Sequence, residues 1–196
     1  MRESSACIVR LFVIALGFIA LSAAPASSQT GSPTPSQNAA SGKESAPDVP
    51  DAIQVPAGEE VVFFAHATGS QIYTCQAGAE GKFSWALKAP DAELHDRNDK
   101  VIGQHSAGPT WKLKDGSAVT GKAAAKIEAL DPDSIPWLLV KVVSHDGKGA
   151  LSNVTSVQRV HTHGGQAPAQ GCDEAHKGAE TKSSYTADYY FFAPGK

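Results

Sequence analysis

Beyond residue 48 the chain is built of short segments in which apolar residues recur at every second position, a period that only sheet can bury. Ser70-Gln-Ile-Tyr-Thr-Cys75 puts Ile72 and Thr74 on one face and Gln71, Tyr73 and Cys75 on the other. Lys82–Leu87 brings Phe83, Trp85 and Leu87 together, and Glu60–His66 is a run of strand formers that Gly69 closes. Trp111–Val119 reads as a hairpin turning at Asp115-Gly116. Pro136–Val143, the most apolar run, predicts a central strand, which Asp146-Gly-Lys-Gly149 turns back into a strand over Leu151–Val160. Ser184–Phe192 is a final aromatic strand. Lys122-Ala-Ala-Ala-Lys126 has helical propensity. Val119, Ala123, Ala125, Ile127 and Ala129 nevertheless alternate with the residues between them, which predicts strand. Asp91–Asp99 reads as a solvated loop, and Glu174–Glu180 as a single helical turn. The expectation is a mainly β fold with little helix, an antiparallel sandwich or barrel.

The region before this pattern has a different character. Residues 1–28 read as a signal peptide: Arg2 and Arg10 give the positive start, Leu11–Leu21 the apolar run, and Ala24-Pro-Ala26 the small residues a peptidase needs. The run falls short of the roughly 20 residues a bilayer span needs. Residues 29–47 are a Ser/Pro/Gln-rich linker, expected to be disordered because Gly31–Gly42 holds no aromatic and no aliphatic larger than Ala. Residues 48–196 then form one β domain. The protein is expected to be exported, to a periplasm or the external medium, with no transmembrane span in its mature form. Processing removes Cys7 and leaves Cys75 and Cys172, whose plain reading in an oxidising compartment is one disulfide. Seventeen Lys and Arg stand against 20 Asp and Glu, for a net charge of −3 with no basic tract, which excludes a nucleic-acid partner. A monomer is expected.

Several motifs together resemble domain-of-unknown-function family 3455, whose members are exported proteins of bacteria and fungi. They are Gly69–Cys75, His105-Ser-Ala-Gly-Pro-Thr-Trp111, Asp115-Gly-Ser117, Ile135-Pro-Trp-Leu-Leu139, Val157-Gln-Arg159 with Thr162-x-Gly-Gly165, and Tyr185–Phe192. The similarity spans about Val49 to Phe192 and implies a secreted single-domain protein without an established activity. Some fungal relatives carry a dehydrogenase label, to which this chain lends no physical support. It has no G-x-G-x-x-G opening a helix after a strand, and no alternation of strands with long helices. It also lacks a G-x-S-x-G elbow.

Three clusters are candidates for chemistry. His105, Thr110, Trp111 and Asp115 fall within eleven residues, and Gly108-Pro109 would turn His105 toward Trp111. An imidazole, a hydroxyl, a stacking surface and a carboxylate suit a small-molecule or glycan pocket. Alanine at His105 and Trp111 is then expected to abolish ligand binding while leaving the melting temperature nearly unchanged. Arg159 with Thr162, Gly164 and Gly165 would clamp an anion, the glycine N–H groups forming a nest. His161 and His163, sharing a strand face, would reach one copper or zinc ion. Each has a plainer alternative: a turn with a core Trp, an Arg paired to an Asp, and two solvated histidines. Tyr185, Tyr189, Tyr190, Phe191 and Phe192 offer a sugar-stacking strip on whichever face is not core. The leading functional expectation is a non-enzymatic binding domain for a small molecule, glycan or envelope component, with no resident cofactor. The alternatives are an exported metal-binding protein or metal-dependent enzyme, and a structural envelope protein.

Overall fold

The computed structural model describes residues 44–195. The expected signal peptide, residues 1–28, and residues 29–43 of the expected linker lie outside them.

Eight antiparallel strands follow one another in order: β1 (Glu59–Ala77), β2 (Phe83–His95), β3 (Val101–Ser106), β4 (Thr110–Leu113), β5 (Ala118–Ile127), β6 (Trp137–Asp146), β7 (Ser156–Gly164) and β8 (Glu180–Pro194). Each pairs with the next, and β8 returns to pair with β1, so the sheet closes into a barrel without edges. Of the two architectures left open, the barrel is the one formed. Eight strands enclose an interior that side chains just fill, or that holds one small ligand. Among the described residues, helix is confined to three 3₁₀ turns, Asp51–Ile53, Ala79–Gly81 and Glu174–His176. Among the described residues no helix is long and apolar enough to cross a membrane.

Three strand boundaries differ from expectation. Gly69 does not end a strand: β1 runs through it for 19 residues. A Cβ there would lie 2.3 Å from the Asp91 carbonyl oxygen and 2.6 Å from the Ala92 Cβ, so the glycine permits a close approach of β1 to β2. Asp91–His95 is not loop but the end of β2, with Ala92 and Leu94 buried in the core. The solvated turn is shorter, and Asp96 Oδ1 shapes it by accepting from the N–H groups of Asn98 and Lys100. Strand β7 begins at Ser156, because Leu151 and Val154 are buried in the preceding turn and plug that end of the barrel.

Alternation sorts the apolar residues into two clusters. Inward-facing Ala65, Ala67, Leu94, Trp111, Val140 and Tyr189 belong to the interior cluster. Outside the barrel, Phe64, Trp137, Val160, Tyr190 and Phe192 form a second cluster under the segment that precedes β1, where Ile53 is fully buried and Val49 and Val55 pack. Gln158 Nε2 donates to the Ile53 carbonyl at 2.7 Å and fastens this strap to β7. Over Tyr189–Phe192 both faces of β8 are therefore buried, and none is left for stacking sugars.

Hairpin connectivity alternates the turns between the two barrel ends. The β1–β2, β3–β4, β5–β6 and β7–β8 connections share one end, and the β4–β5 turn lies at the other. At the first end the Cys75–Cys172 disulfide, with Cα atoms 5.3 Å apart, ties β1 to the long β7–β8 connection.

Candidate functional site

A cavity of about 280 Å³ opens at the disulfide-bearing end of the barrel, and all eight strands contribute to its wall. Gln71 comes from β1, Leu87–Pro90 from β2, His105 from β3 and Trp111 from β4. Ala123 of β5, Leu138 and Val140 of β6, Arg159 of β7 and Tyr189 of β8 complete it, with Gly108 and Pro109 of the β3–β4 turn at its rim. The closure of the sheet is what brings together residues so far apart in the chain.

The floor is aromatic. His105 and Trp111 are direct cross-strand partners. Their rings stack with centroids 4.5 Å apart, and Tyr189 meets both edge-on at 5.0 and 5.4 Å. His105 Nδ1 lies 2.9 Å from the Thr110 carbonyl oxygen. A carbonyl only accepts, so Nδ1 carries the proton and Nε2 is left as an acceptor. Burial pushes the His105 pKa down to about 3, opposed by the bond to Thr110 and reinforced by the positive charge of Arg159. The imidazole is neutral at physiological pH.

Two polar atoms of the lining side chains, Gln71 Nε2 and Trp111 Nε1, are buried without a hydrogen-bond partner, and both are obligate donors. The Tyr189 hydroxyl is also buried, close enough to the Tyr185 hydroxyl and to Arg159 for both to act on its titration. Burial raises the pKa of both tyrosines, so both are neutral phenols. An unsatisfied buried donor costs about 1–3 kcal/mol, and a cluster of them calls for an explanation.

The residues expected to form the site divide. His105, Trp111 and Arg159 line the cavity. Thr110 faces away, its hydroxyl 2.9 Å from that of Thr120. Asp115 sits at the opposite end, where Oδ1 accepts from the Ser117 N–H and hydroxyl and Oδ2 from the Ala150 N–H. These bonds, led by that to the Ser117 side chain, lower its pKa. Thr162 donates to the Ile135 carbonyl and the Gly164 N–H to Ser134 Oγ, so the expected Gly164–Gly165 nest is already occupied by the β5–β6 connection. The Gly165 carbonyl accepts from the Tyr73 hydroxyl, and a Cβ at this position would lie 2.8 Å from the Tyr185 Cβ and 3.2 Å from Ile135 Cγ2. Ligand contact without structural cost is also corrected for His105 and Trp111, since they are 3% and 1% exposed and belong to the core.

His161 and His163 do not converge either. His161 adopts a left-handed φ of 49°, and the β7–β8 register shifts between Val160 and His163. The distortion breaks the shared-face geometry. His161 Nδ1 contacts Asp188 Oδ2 at 3.0 Å, with His66 on the other carboxylate oxygen at 2.7 Å. His163 instead turns to Asp131, 3.7 Å away. Among the described residues no three His, Cys, Asp or Glu side chains are grouped to hold a metal ion.

Gln71, Leu138, Val140 and Ala123 escaped the sequence reading. For Gln71 a signal existed: it shares its strand face with Tyr73 and Cys75, so a polar group was bound for the interior.

No curated protein and no solved structure matches the chain. The family described as protein of unknown function (DUF3455) matches residues 56–193, which run from just before β1 to the end of β8 and so include the whole barrel. The chain belongs to this family.

Proposed function

We propose that the protein is an exported binding domain that holds one small molecule in the barrel-mouth cavity and performs no chemistry on it. The observation that carries this reading is the set of buried, unpartnered polar atoms on side chains lining a cavity to which every strand contributes. A ligand that bonds to those atoms offsets their desolvation, and the apolar walls supply the remaining affinity. At about 280 Å³ the cavity lies just below the range of roughly 300–1,000 Å³ typical of ligand pockets, which limits the occupant to a single ring or a short chain. His105 argues against acid–base catalysis. With a pKa near 3 it is not an imidazolium at neutral pH, so it has no acidic proton to give, and it is too weak a base to take one. Export is supported by the disulfide and by the N-terminal apolar run.

Ligand-observed NMR with a fragment library tests the reading. Ala123 is exposed at the rim, so Ala123→Trp blocks the mouth at little cost to the core. Fragments that bind the wild type and fail to bind Ala123→Trp are expected. If every binder persists on the blocked variant, or none binds the wild type, the reading is wrong.

A further inference from the structure

Resting on that reading, we propose that the cavity selects a small organic anion, a carboxylate on a compact apolar body, with Arg159 as its counter-ion. The charged side chains lining the cavity are Lys88 and Arg159, both cations. Lys88 already has a carboxylate, Glu180. Arg159 does not: its Nε and Nη2 donate to the Pro136 carbonyl at 3.1 and 2.7 Å, and among the described residues no Asp or Glu pairs with it. The neutral Tyr189 hydroxyl is the other group within reach of the guanidinium, so Arg159 has hydrogen-bond partners but no counter-charge.

The charge of Arg159 is directed inward. It acts on the titration of Tyr73, His105, Tyr185 and Tyr189, all groups of the barrel interior. A half-buried cation among neutral rings is costly unless paired. The polar complement of the wall points to the same class of ligand. Gln71 Nε2 and Trp111 Nε1 are unpartnered and can only donate. An acceptor-rich carboxylate matches donors and cation together, whereas an ammonium ligand would meet like charge and find His105 Nε2 as its acceptor. Leu138, Val140 and Pro90 provide the apolar surface for the rest of the molecule.

Isothermal calorimetry with size-matched probes tests the proposal. Benzoate and hexanoate are compared with benzamide and hexanamide near neutral pH, on the wild type, Arg159→Gln, Arg159→Lys and Lys88→Gln. The carboxylates are expected to bind the wild type at least about ten-fold more tightly than the amides, a preference that declines as salt is raised. Arg159→Gln should erase the preference, Arg159→Lys keep part of it, and Lys88→Gln leave it unchanged. If Arg159→Gln does not fold, the wild-type ratio and its salt dependence decide. Amides that bind as well as carboxylates overturn the anion and leave the pocket standing. Loss of the preference in Lys88→Gln, with its retention in Arg159→Gln, overturns the role of Arg159. If no probe binds, the anion proposal and the pocket reading fall together.

Discussion

The imidazole of His105 lies nearly parallel to the indole of Trp111, 11° between planes and 4.5 Å between centroids, with its Nδ1–H held by the Thr110 carbonyl. The pair is at once the floor of the cavity and part of the barrel's core. On the proposed function, ligand recognition and stability fall on the same side chains, and experiments have to separate them.

His105 should make the protein sensitive to mild acid. Its folded pKa of about 3 lies below the ordinary histidine value near 6.5, so between these pH values the unfolded chain binds a proton that the folded one does not. Stability is full above about pH 6.5 and falls as pH drops toward 3, by at most roughly 4–5 kcal/mol at about 1.4 kcal/mol per pKa unit. The depressed carboxylates of Asp115, Asp131 and Asp173 lose their contributions only at lower pH, below the ordinary carboxylate value of 3.8. Urea midpoints between pH 7 and 5 should therefore decline in the wild type and stay nearly flat in His105→Gln. Equal slopes would show that the imidazole is not the titrating group.

Trp111 contacts His105, Tyr189 and Phe191 and is 1% exposed. Trp111→Ala should lose about 3–5 kcal/mol of stability by denaturant unfolding, and Trp111→Phe distinctly less. A near-neutral alanine variant would mean that the ring is not buried as the structure has it.

Gln71 is 2% exposed and its Nε2 has no partner. Gln71→Leu keeps a similar volume and removes the orphan donor, so the ligand-free protein should be unchanged or more stable by up to about 1–3 kcal/mol. Fragment affinity should fall in the same variant. A gain in stability with affinity intact would place the ligand away from Gln71. Thermal unfolding and ligand-observed NMR on one preparation give both readings.

The Cys75–Cys172 bridge closes a loop with a sequence separation of 97. The chain-entropy model assigns such a loop about 4–5 kcal/mol. Reduction, or the Cys75→Ser/Cys172→Ser variant, should lower the guanidinium midpoint accordingly. It should also loosen the β7–β8 connection next to Trp85, whose Nε1 donates to Gln170 O. Hydrogen exchange over residues 166–179 that does not change on reduction would contradict this.

The period-two pattern was legible because it is local: Gln71, Tyr73 and Cys75 share a strand face whatever lies beyond it. Lys122–Lys126 followed that pattern into β5 against its helical propensity, since pairing with β6 holds it extended and Ala125 packs in the outer cluster. The hairpin at Asp115-Gly116 and the turn between His105 and Trp111 were equally local, closed by neighbours a few residues apart. Cysteine count and the expected oxidising compartment were enough to pair Cys75 with Cys172.

Which residues met across the fold was a different matter. Gly69 read as a terminator because the reason for its missing side chain is Ala92, on another strand. Tyr190 and Phe192 seemed free to bind sugars because the strap bearing Ile53 covers them only when the chain folds back over the barrel. His161 and His163 shared a face on paper, until a left-handed residue and a register shift sent them to separate carboxylates. Asp115 lay four residues from Trp111 in sequence and at the opposite end of the barrel in space, while Arg159 and Gln71 came to line the cavity beside it. Strand period and turn chemistry depend on neighbouring residues, so the chain alone determined a disulfide-linked antiparallel β domain and its approximate strands. The cavity and its uncompensated cation depend on barrel closure and strand register, which only the tertiary structure decided.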